Sequence, residues 1–494
     1  MTLQAQTQSD PSTPTLEGQI SLLDQILEDT KLKPTDDGYT VAKKGLSELV
    51  RSLVGERQGE KIDKALVDVL IADLDAKISA QMNSILHHES FQKLESSWRG
   101  LHYLVGQTDF RENLRIDVLS CTKEELLADF EDAPEIPKSG LYQLAYAREY
   151  GTFGGQPYGA IVAGFDFDAG PQDLKLLANC AAVAATAHAP FIANASPEMF
   201  GLKSFTELPK MRDLGSVFEG PQYARWRSFR AHPDSKYVGL AMPRMMLRLP
   251  YGQRHTPVRA FQFEEDVIGE HEAYLWGAAS FAMASRVHES FAKYRWATNI
   301  VGPQAGGAVE GLPLHQYDAM GEVATKIPTE IALTDRREYE LAEEGFIGLT
   351  YRKESDKAAF FSANSCHRPL NFPDTPEGRE ARTNYMLGTR LPYLFSVTRI
   401  AHYLKVLQRE QIGTSKERVD LERELQGWLK QFVVDMDTTD SVTRARRPFR
   451  KAQVTVEDVE GQPGWYRCGL KVRPHFKFEG ASFTLSLVGR LDKS

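Results

Sequence analysis

Near its C-terminus the chain alternates apolar and polar residues with a period of two. No other feature of the sequence limits the possible folds as strongly. Such alternation places every second side chain on one face, as in a strand with one buried face. The apolar positions are Val454 and Val456, then Tyr466, Cys468, Leu470 and Val472, and then Phe483, Leu485 and Leu487. The sequence therefore predicts a small antiparallel sheet, which is marginally stable alone and has edges able to accept strands from other chains.

Helical periodicity dominates the N-terminal part of the chain. Residues 1–14 form a polar leader that we expect to be disordered, and residues 16–29 have the spacing of a short amphipathic helix. Further helices are predicted at 41–54 and 62–104. The apolar face of the first helix consists of Leu16, Ile20, Leu23, Ile26 and Leu27.

The middle of the chain alternates predicted strands with predicted helices. Apolar, β-branched runs predict strands at 115–119, 158–165 and 191–193. Helical spacing predicts helices at 123–130 and 173–186. This order is typical of an α/β domain.

Two more helical patterns precede the C-terminal strands, at 380–411, interrupted at Pro392, and at 415–432. The predicted fold class is mixed α/β (α+β), with a helical N-terminal region, a central α/β domain and a C-terminal module of helices plus a small antiparallel sheet. The predicted divisions are a tail at 1–14, a helical arm at 15–60, an α/β domain with a helical start at 61–378, and the C-terminal module at 379–494.

Composition argues against several classes of protein. The formal charge of -8 gives no overall attraction to nucleic acid or to an anionic membrane. The start of the chain lacks a signal-peptide pattern, and the most apolar internal stretch, 178–189, is too short and too polar to cross a bilayer. The cysteines lie far apart without a CxxC pair, which fits reduced thiols in the cytoplasm. They are Cys121, Cys180, Cys366 and Cys468.

The motifs of the commonest nucleotide and serine-hydrolase sites do not occur: neither G-x-x-x-x-G-K-[ST], nor G-x-G-x-x-G, nor G-x-S-x-G is present. A metal-dependent α/β enzyme is nevertheless one alternative. Asp166 and Asp168 end an apolar run, where two carboxylates can chelate a divalent cation. A solvated loop is the simpler interpretation, and we expect no enzyme, cofactor or metal site.

Acidic and histidine residues also cluster in three other places. Residues 264–272 lack the HExxH spacing, so we expect a charged helix face there. Lone histidines in helical patterns usually cap helices or face solvent, which is the expectation for the other two groups. The residues concerned are Glu264, Glu265, Asp266, Glu270, His271 and Glu272, then His87, His88 and Glu89, and then His288 and Glu289.

The strongest basic cluster consists of Arg444, Arg446, Arg447, Arg450 and Lys451. Such a run can neutralise phosphates, so a nucleic-acid-binding protein is a second alternative. The run lacks the interleaved aromatic residues of a single-strand binder. The acidic chain around it favours an electrostatic contact with another protein.

Long stretches of the sequence resemble one known family. These are FQKLESSWRGLHYLV (91–105), FFSANS (360–365), LGTRLPYLFSVTRIAHYLKVLQREQIG (387–413) and VEDVEGQPGWYRCGLKVRPHFKFEGASFTLSLVGRLD (456–492). They closely resemble the large subunit of the type VI secretion contractile sheath, the TssC/VipB/EvpB family. The resemblance extends over nearly the whole chain, from about residue 16 to residue 492.

The resemblance implies a structural protein in the bacterial cytoplasm, with a phage tail-sheath-like C-terminal module whose small sheet is completed by partner strands. Its expected partners are a small sheath subunit (TssB/VipA-like), an Hcp-like inner tube, baseplate components and further copies of itself. A ClpV-like recycling AAA+ ATPase would recognise the helix at 16–29. The arginines at 444, 446, 447 and 450 are candidates to face the tube. Neither nucleic-acid binding nor membrane insertion is expected.

Overall fold

The computed structural model describes residues 37–56, 64–259, 261–368, 370, 372–410, 418–435, 440–458, 466–475 and 485–489. The predicted helix at 16–29, with its five apolar residues, and the predicted strand residue Phe483 lie outside the described residues. The chain divides into two compact units, Met1–Ile78 and Ser79–Ser494. The described part of the first unit is helix α1 (Asp37–Glu56) and the start of helix α2 (Lys64–Leu86).

The second unit continues with helices of very different lengths. Local signals explain where several begin: Thr122 and Glu125 form a reciprocal capping box at the start of α4, at 3.1 and 2.8 Å. The helices are α3 (Glu89–Gly106), α4 (Lys123–Asp132), α5 (Gly140–Tyr142), α6 (Arg148–Gly151), α7 (Pro171–Ala187), α8 (Leu214–Phe218), α9 (Ala224–Ala231), α10 (Ala279–Tyr294), α11 (Asp335–Glu343), α12 (Pro376–Gly388), α13 (Leu391–Glu410), α14 (Arg418–Lys430) and α15 (Ser441–Arg446).

The strands form four separate sheets in the described parts of the chain. They are β1 (Ile161–Phe167), β2 (Phe191–Ala195), β3 (Val238–Met242), β4 (Met245–Met246), β5 (Trp276–Gly277), β6 (Ala308–Val309), β7 (His315–Ala319), β8 (Glu322–Lys326), β9 (Phe346–Tyr351), β10 (Ala358–Phe360), β11 (Phe449–Asp458), β12 (Tyr466–Pro474) and β13 (Leu485–Gly489). The short strands β4 and β5 pair with each other, and β7 and β8 form a hairpin.

A six-stranded mixed sheet lies at the centre, in the order β1-β2-β3-β9-β10-β6. Its first four strands are parallel, and β10 and then β6 continue the sheet in antiparallel pairing. Every residue of β2 and β3 is buried, as expected for parallel strands covered by helices. The predicted α/β character of the central domain is therefore confirmed.

A close approach at Gly100 fixes how α3 packs on α10. A Cβ atom added at Gly100 would lie 2.5 Å from the Phe281 ring, so any larger side chain would require this ring or one of the two helices to move. The same ring lies 3.3 Å from the Cβ position of Gly164 in β1. Phe281 thus fills the space between α3, α10 and the central sheet.

Helix α13 links the central domain to the C-terminal module, which we define as α13, α14, α15 and the sheet β11–β13. The first turns of α13 bury Leu391 and Phe395 in the core of the central domain. Its later turns bury Ile400 and Leu404 in a second core, shared with the C-terminal sheet. One helix therefore contributes to both hydrophobic cores.

Two partly buried histidines, His188 and His402, lie at the junction of α7 and α13. His402 Nε2 lies 3.0 Å from the carbonyl oxygen of Ala187. Burial, together with the nearby Lys405 ammonium, lowers the pKa of His188 to about 3, and burial lowers that of His402 to about 4. In an unfolded chain the pKa of both imidazoles would be about 6.5.

We therefore expect the unfolding temperature to fall as the pH is lowered from about 6.5 toward about 4, because the unfolded chain binds protons there that the folded chain does not. Thermal unfolding at a series of pH values measures this slope. The variant His402→Gln, which cannot be protonated, should lose stability less steeply over that interval. An identical slope in both proteins would count against the assignment.

Three local predictions differ from the structure. Residues 115–119 form no strand, and Val118 and Leu119 are exposed, because no neighbouring strand pairs with this run. Residues 264–270 form a loop and not a helix. The helix predicted at 62–104 is two helices, since the chain turns at His87 and the His88 side chain caps α3 by accepting from the Ser90 N–H.

Candidate functional site: the C-terminal sheet

The C-terminal sheet buries one face against α13 and α14. The predicted strand residues Val454, Val456, Leu470 and Val472 are all buried in a common core, and Cys468 packs against it. The alternation read from the sequence thus corresponds to a face that is covered within the chain itself. Tyr466 lies in β12, and Leu485 and Leu487 lie in β13.

Strand order decides which main-chain groups of this sheet are available to other chains. β12 is the central strand, and it pairs antiparallel with β11 along nearly its whole length and with β13 through Cys468–Val472. The outer strands are therefore β11 and β13. Residues of an outer strand present unpaired N–H and C=O groups unless something else bonds them.

Side chains of α14 bond the outer edge of β11. The Gln426 side-chain amide donates to the carbonyl oxygen of Ala452 at 3.0 Å and accepts from the N–H of Val454 at 2.8 Å. Farther along, a Glu422 carboxylate oxygen lies 3.3 Å from the Val456 nitrogen and accepts its N–H.

Arg418 completes this row by donating to the Val456 carbonyl oxygen at 3.1 Å. Its guanidinium also lies 3.6 Å from the carboxylate of Asp458. We call Arg418, Glu422 and Gln426 the α14 ladder. These three residues were not predicted from the sequence, although their spacing of four on an amphipathic helix is a visible signal.

The main chain closes the start of the same edge. The N–H of Val434 donates to the carbonyl oxygen of Phe449 at 2.9 Å, and the Phe449 N–H donates to the carbonyl oxygen of Phe432 at 3.3 Å. This is a parallel bridge between residue 433 and Phe449. In the described parts of the chain, no comparable strand or bridge lies on the far side of β13.

Trp296, from the loop after α10, anchors the C-terminal module on the central domain. It is 2% exposed and belongs to the core of the module. Its ring packs edge-on against Phe432 and Phe449, at 5.2 and 5.6 Å between ring centroids. Its indole N–H donates to the Arg446 carbonyl oxygen at 3.1 Å. Sequence reasoning did not identify this residue, because its partners lie far away in the chain.

The predicted basic cluster lies at the entrance to β11. Arg444 and Arg446 are on the short helix α15, and they and Arg447 are exposed. Arg450 is half-buried and pairs with Asp435 at 3.2 Å. The cluster is thus partly neutralised within the chain, which weakens the nucleic-acid alternative.

The Asp168 carboxylate and the main chain of Asp166, at the end of β1, take part in local structure. Asp168 accepts the N–H of Gly170 at 2.6 Å, and its own N–H donates to Asp173 at 2.9 Å. Lys123 donates to the main-chain oxygen of Asp166 at 3.0 Å and to the Asp173 carboxylate at 2.8 Å. These contacts form the turn that leads from β1 into α7.

The acidic segment 264–272 is divided between two ion-pair networks. Glu265 is buried and accepts from Arg248, while Arg248 also contacts Glu95. Hydrogen bonds from Arg248 and Arg99 lower the pKa of Glu95, although its burial alone would raise it. This network ties the loop to α3.

The structure also brings His271 and Glu272 next to Glu330. Of these three residues, Glu330 was not a candidate metal ligand in the sequence. Among the described residues, these three form the one group with the spacing of metal ligands. The Glu330 carboxylate, however, is held by both nitrogens of the Arg244 fork at 2.8 and 2.7 Å. The Lys326 ammonium lies 2.8 Å from His271 Nδ1. Because two cations already occupy this cluster, it is poorly suited to a divalent metal.

Two more of the selected histidines, His87 and His288, contact other side chains of the chain. His288 is bonded to Thr108 at 2.7 Å, and burial lowers its pKa to about 4. His87 lies 3.3 Å from Glu265. All four cysteines are unpaired, and burial raises the pKa of the Cys366 thiol to about 12. In the described residues no helix has the length and apolar content needed to span a membrane.

Sequence comparison gives matches over most of the chain. A family model described as EvpB/VC_A0108, tail sheath N-terminal domain, matches residues 68–367, and one described as EvpB/VC_A0108, tail sheath gpW/gp25-like domain, matches residues 380–491. The type VI secretion system sheath protein TssC1 of Pseudomonas aeruginosa is 45% identical over 432 residues, which is 86% of each chain.

Solved structures give weaker matches. The chain resembles a component of the anti-feeding prophage baseplate with a TM-score of 0.33 and 8% identity, covering 78% of this chain and 81% of that one. A sheath tail protein from Desulfitobacterium hafniense matches with a TM-score of 0.27 and 10% identity, covering 64% and 60% of the two chains. Scores this low support no argument about the present chain.

Proposed function

Because the chain belongs to the EvpB/VC_A0108 tail sheath family and is the large structural subunit of a type VI secretion sheath, we propose that its C-terminal sheet links subunits by exchanging strands. The single observation that carries this proposal is the outer strand β13, whose far side pairs with nothing in the described residues. The strand residues from Val454 to Leu487 would hold the sheet in register while a partner strand adds its main-chain bonds.

The linked subunits would form a helical sheath around an Hcp-like inner tube, and contraction of the sheath would propel the tube. A strand that carries its main-chain hydrogen bonds with it suits a rigid-body rearrangement, because the link between subunits need not break when they rotate. Baseplate components would bind at one end of the sheath. We place this assembly in the cytoplasm.

Coexpression with a small sheath subunit of the TssB/VipA type tests the assembly directly. We expect negative-stain micrographs to contain hollow, cogwheel-like tubules. Dispersed complexes without tubules, at several protein concentrations, would contradict the proposal.

We propose that the chain has no catalytic role. Support comes from the candidate carboxylates, since Asp168, Glu265 and Glu330 each accept hydrogen bonds from groups of the chain itself. A sheath also needs no active site, because the extended lattice can store the energy that contraction releases.

The predicted helix at 16–29 is proposed as the binding site for a ClpV-like recycling ATPase, with its apolar face in a groove of the partner. Changing Leu23 and Leu27 to aspartate should abolish pull-down of the ATPase domain and leave tubule formation unchanged, because both residues belong to the apolar stripe of that helix. Undiminished pull-down by the double variant would refute this role.

The arginines at 444, 446, 447 and 450 are proposed to face the inner tube. Exposure of Arg446 and Arg447 supports this assignment. Reversing both charges should release the tube from the sheath at low salt, where electrostatic attraction acts over the longest distance. Tube retention can be measured by cosedimentation, and retention equal to that of the unaltered sheath at both low and high salt would exclude the contact.

A further inference from the structure

The α14 ladder matches the outer edge of β11 in spacing. Arg418, Glu422 and Gln426 follow one another at intervals of four residues, which is about 6 Å along a helix. Main-chain groups on one edge of a strand repeat every two residues, or about 6.6 Å. Successive turns of α14 therefore meet successive outward-facing groups of β11, from Ala452 to Val456.

The amide of Gln426 also reproduces the bonding pattern of a strand. It donates to the carbonyl of Ala452 and accepts from the N–H of Val454, the two groups that flank residue 453. One residue of a parallel neighbouring strand would bond the same two groups with its own N–H and C=O. The parallel bridge between residue 433 and Phe449 continues this arrangement with real main chain.

A partner strand could add to β11 only by displacing these contacts. It would have to release the two hydrogen bonds of Gln426, the Glu422 contact with Val456 and the Arg418 contacts with Val456 and Asp458. It would also have to move α14, whose Leu429 is buried in the core of the C-terminal module. Addition at β13 needs no such rearrangement in the described part of the chain.

We propose that the α14 ladder imitates a neighbouring strand and closes the outer edge of β11, so that partner strands extend this sheet at its β13 side only. The inference rests on the proposed linkage of subunits through the C-terminal sheet. It adds which edge of that sheet receives the partner strand. A sheet with one closed edge cannot add strands on both sides, which protects a free subunit from uncontrolled edge-to-edge association.

Amide hydrogen exchange at Val454 tests the inference in the full chain, first alone and then in sheaths formed with the small subunit. The variant Gln426→Met keeps the length of the side chain and removes both polar atoms. We expect exchange at Val454 to become at least about tenfold faster in the free variant, since this amide loses its acceptor. Gln431→Met, at an exposed glutamine just after α14, is the matched control and should exchange like the wild type.

The sheath measurement distinguishes a closed edge from an edge that receives a strand. If the edge is closed to partners, Val454 in Gln426→Met sheaths still exchanges faster than in wild-type sheaths. Return of this amide to wild-type protection on assembly would mean that a partner strand has bonded to β11, and would overturn the inference. If Gln426→Met is unstable, Glu422→Ala allows the same comparison at Val456, whose N–H it uncovers.

Failure of the inference can be told apart from failure of the proposed linkage. If the wild-type chain forms no tubules with the small subunit, the proposed linkage fails, whereas equal exchange at Val454 in the free variant and the free wild type overturns the ladder itself. Sedimentation of the free Gln426→Met chain gives a second measurement. Because the edge of β11 is uncovered in Gln426→Met, this variant should self-associate more strongly with concentration than Gln431→Met does. Equal self-association of the two variants would count against edge closure.

Discussion

A chain that lacks residues 483–494 is expected to form no sheath with the small subunit, while its central domain stays folded. The truncation removes β13 and with it the five residue pairs that join Cys468–Val472 to this strand. The remaining pair, β11 and β12, would lose the strand at which we propose that subunits are linked. Two strands also form a less stable sheet than three.

Negative-stain microscopy after coexpression measures the loss of tubules, and circular dichroism together with limited proteolysis checks the fold of the central domain. We expect the six strands of the central sheet to be unaffected, because in the described residues none of them pairs with β13. A chain ending at residue 490 retains β13 and is the matched control, which we expect to assemble. Normal tubules from the shorter chain would contradict strand exchange at the C-terminal sheet.

Replacing Trp296 with alanine is expected to destabilise the C-terminal module by about 3–5 kcal/mol, the usual cost of removing a large buried aromatic side chain. The change empties the space between Phe432 and Phe449 and removes the hydrogen bond to the Arg446 carbonyl oxygen. Urea unfolding followed by a probe in the module measures this loss. Trp98→Ala is the control, because Trp98 is 66% exposed and should change stability by less than about 0.5 kcal/mol.

The same substitution separates the stability of the module from that of the central domain. Trp296 comes from the central domain but is buried in the core of the module, so its loss should let the module unfold at a lower urea concentration than the central sheet. Unfolding of both parts in one unchanged transition would show that Trp296 is not the anchor inferred here.

Much of the secondary structure was predictable because it depends on local periodicity. The alternation at Val454 and Leu470 identified the C-terminal strands, and Pro392 marked the break between α12 and α13. The run at 115–119 was wrongly predicted as a strand, since a β-branched sequence forms a strand only where a neighbour supplies hydrogen bonds. The segment 264–270 was wrongly predicted as a helix, because Glu265 is held in a loop by Arg248.

The candidate site was also only partly predictable from local sequence patterns. The sequence indicated which residues line the C-terminal sheet, but not which of its edges is open. That property depends on Gln426 reaching the main chain of Val454, a contact between a helix and a strand that are separate in sequence. Likewise, the position of Glu330 beside His271 follows from the fold of the loops around β8 and not from any motif.

By itself the sequence determined the strands of the C-terminal sheet, the mixed α/β class and, through its resemblance to known sheath subunits, the assembly to which the chain belongs. These follow from periodicity and from long matching segments, which are properties of residues near one another in the chain. Only the tertiary structure decided that β11 is covered by α14 and that Trp296 joins the module to the central domain. Main-chain hydrogen bonds are satisfied by whichever group lies within reach, and that is set by packing and not by the order of residues.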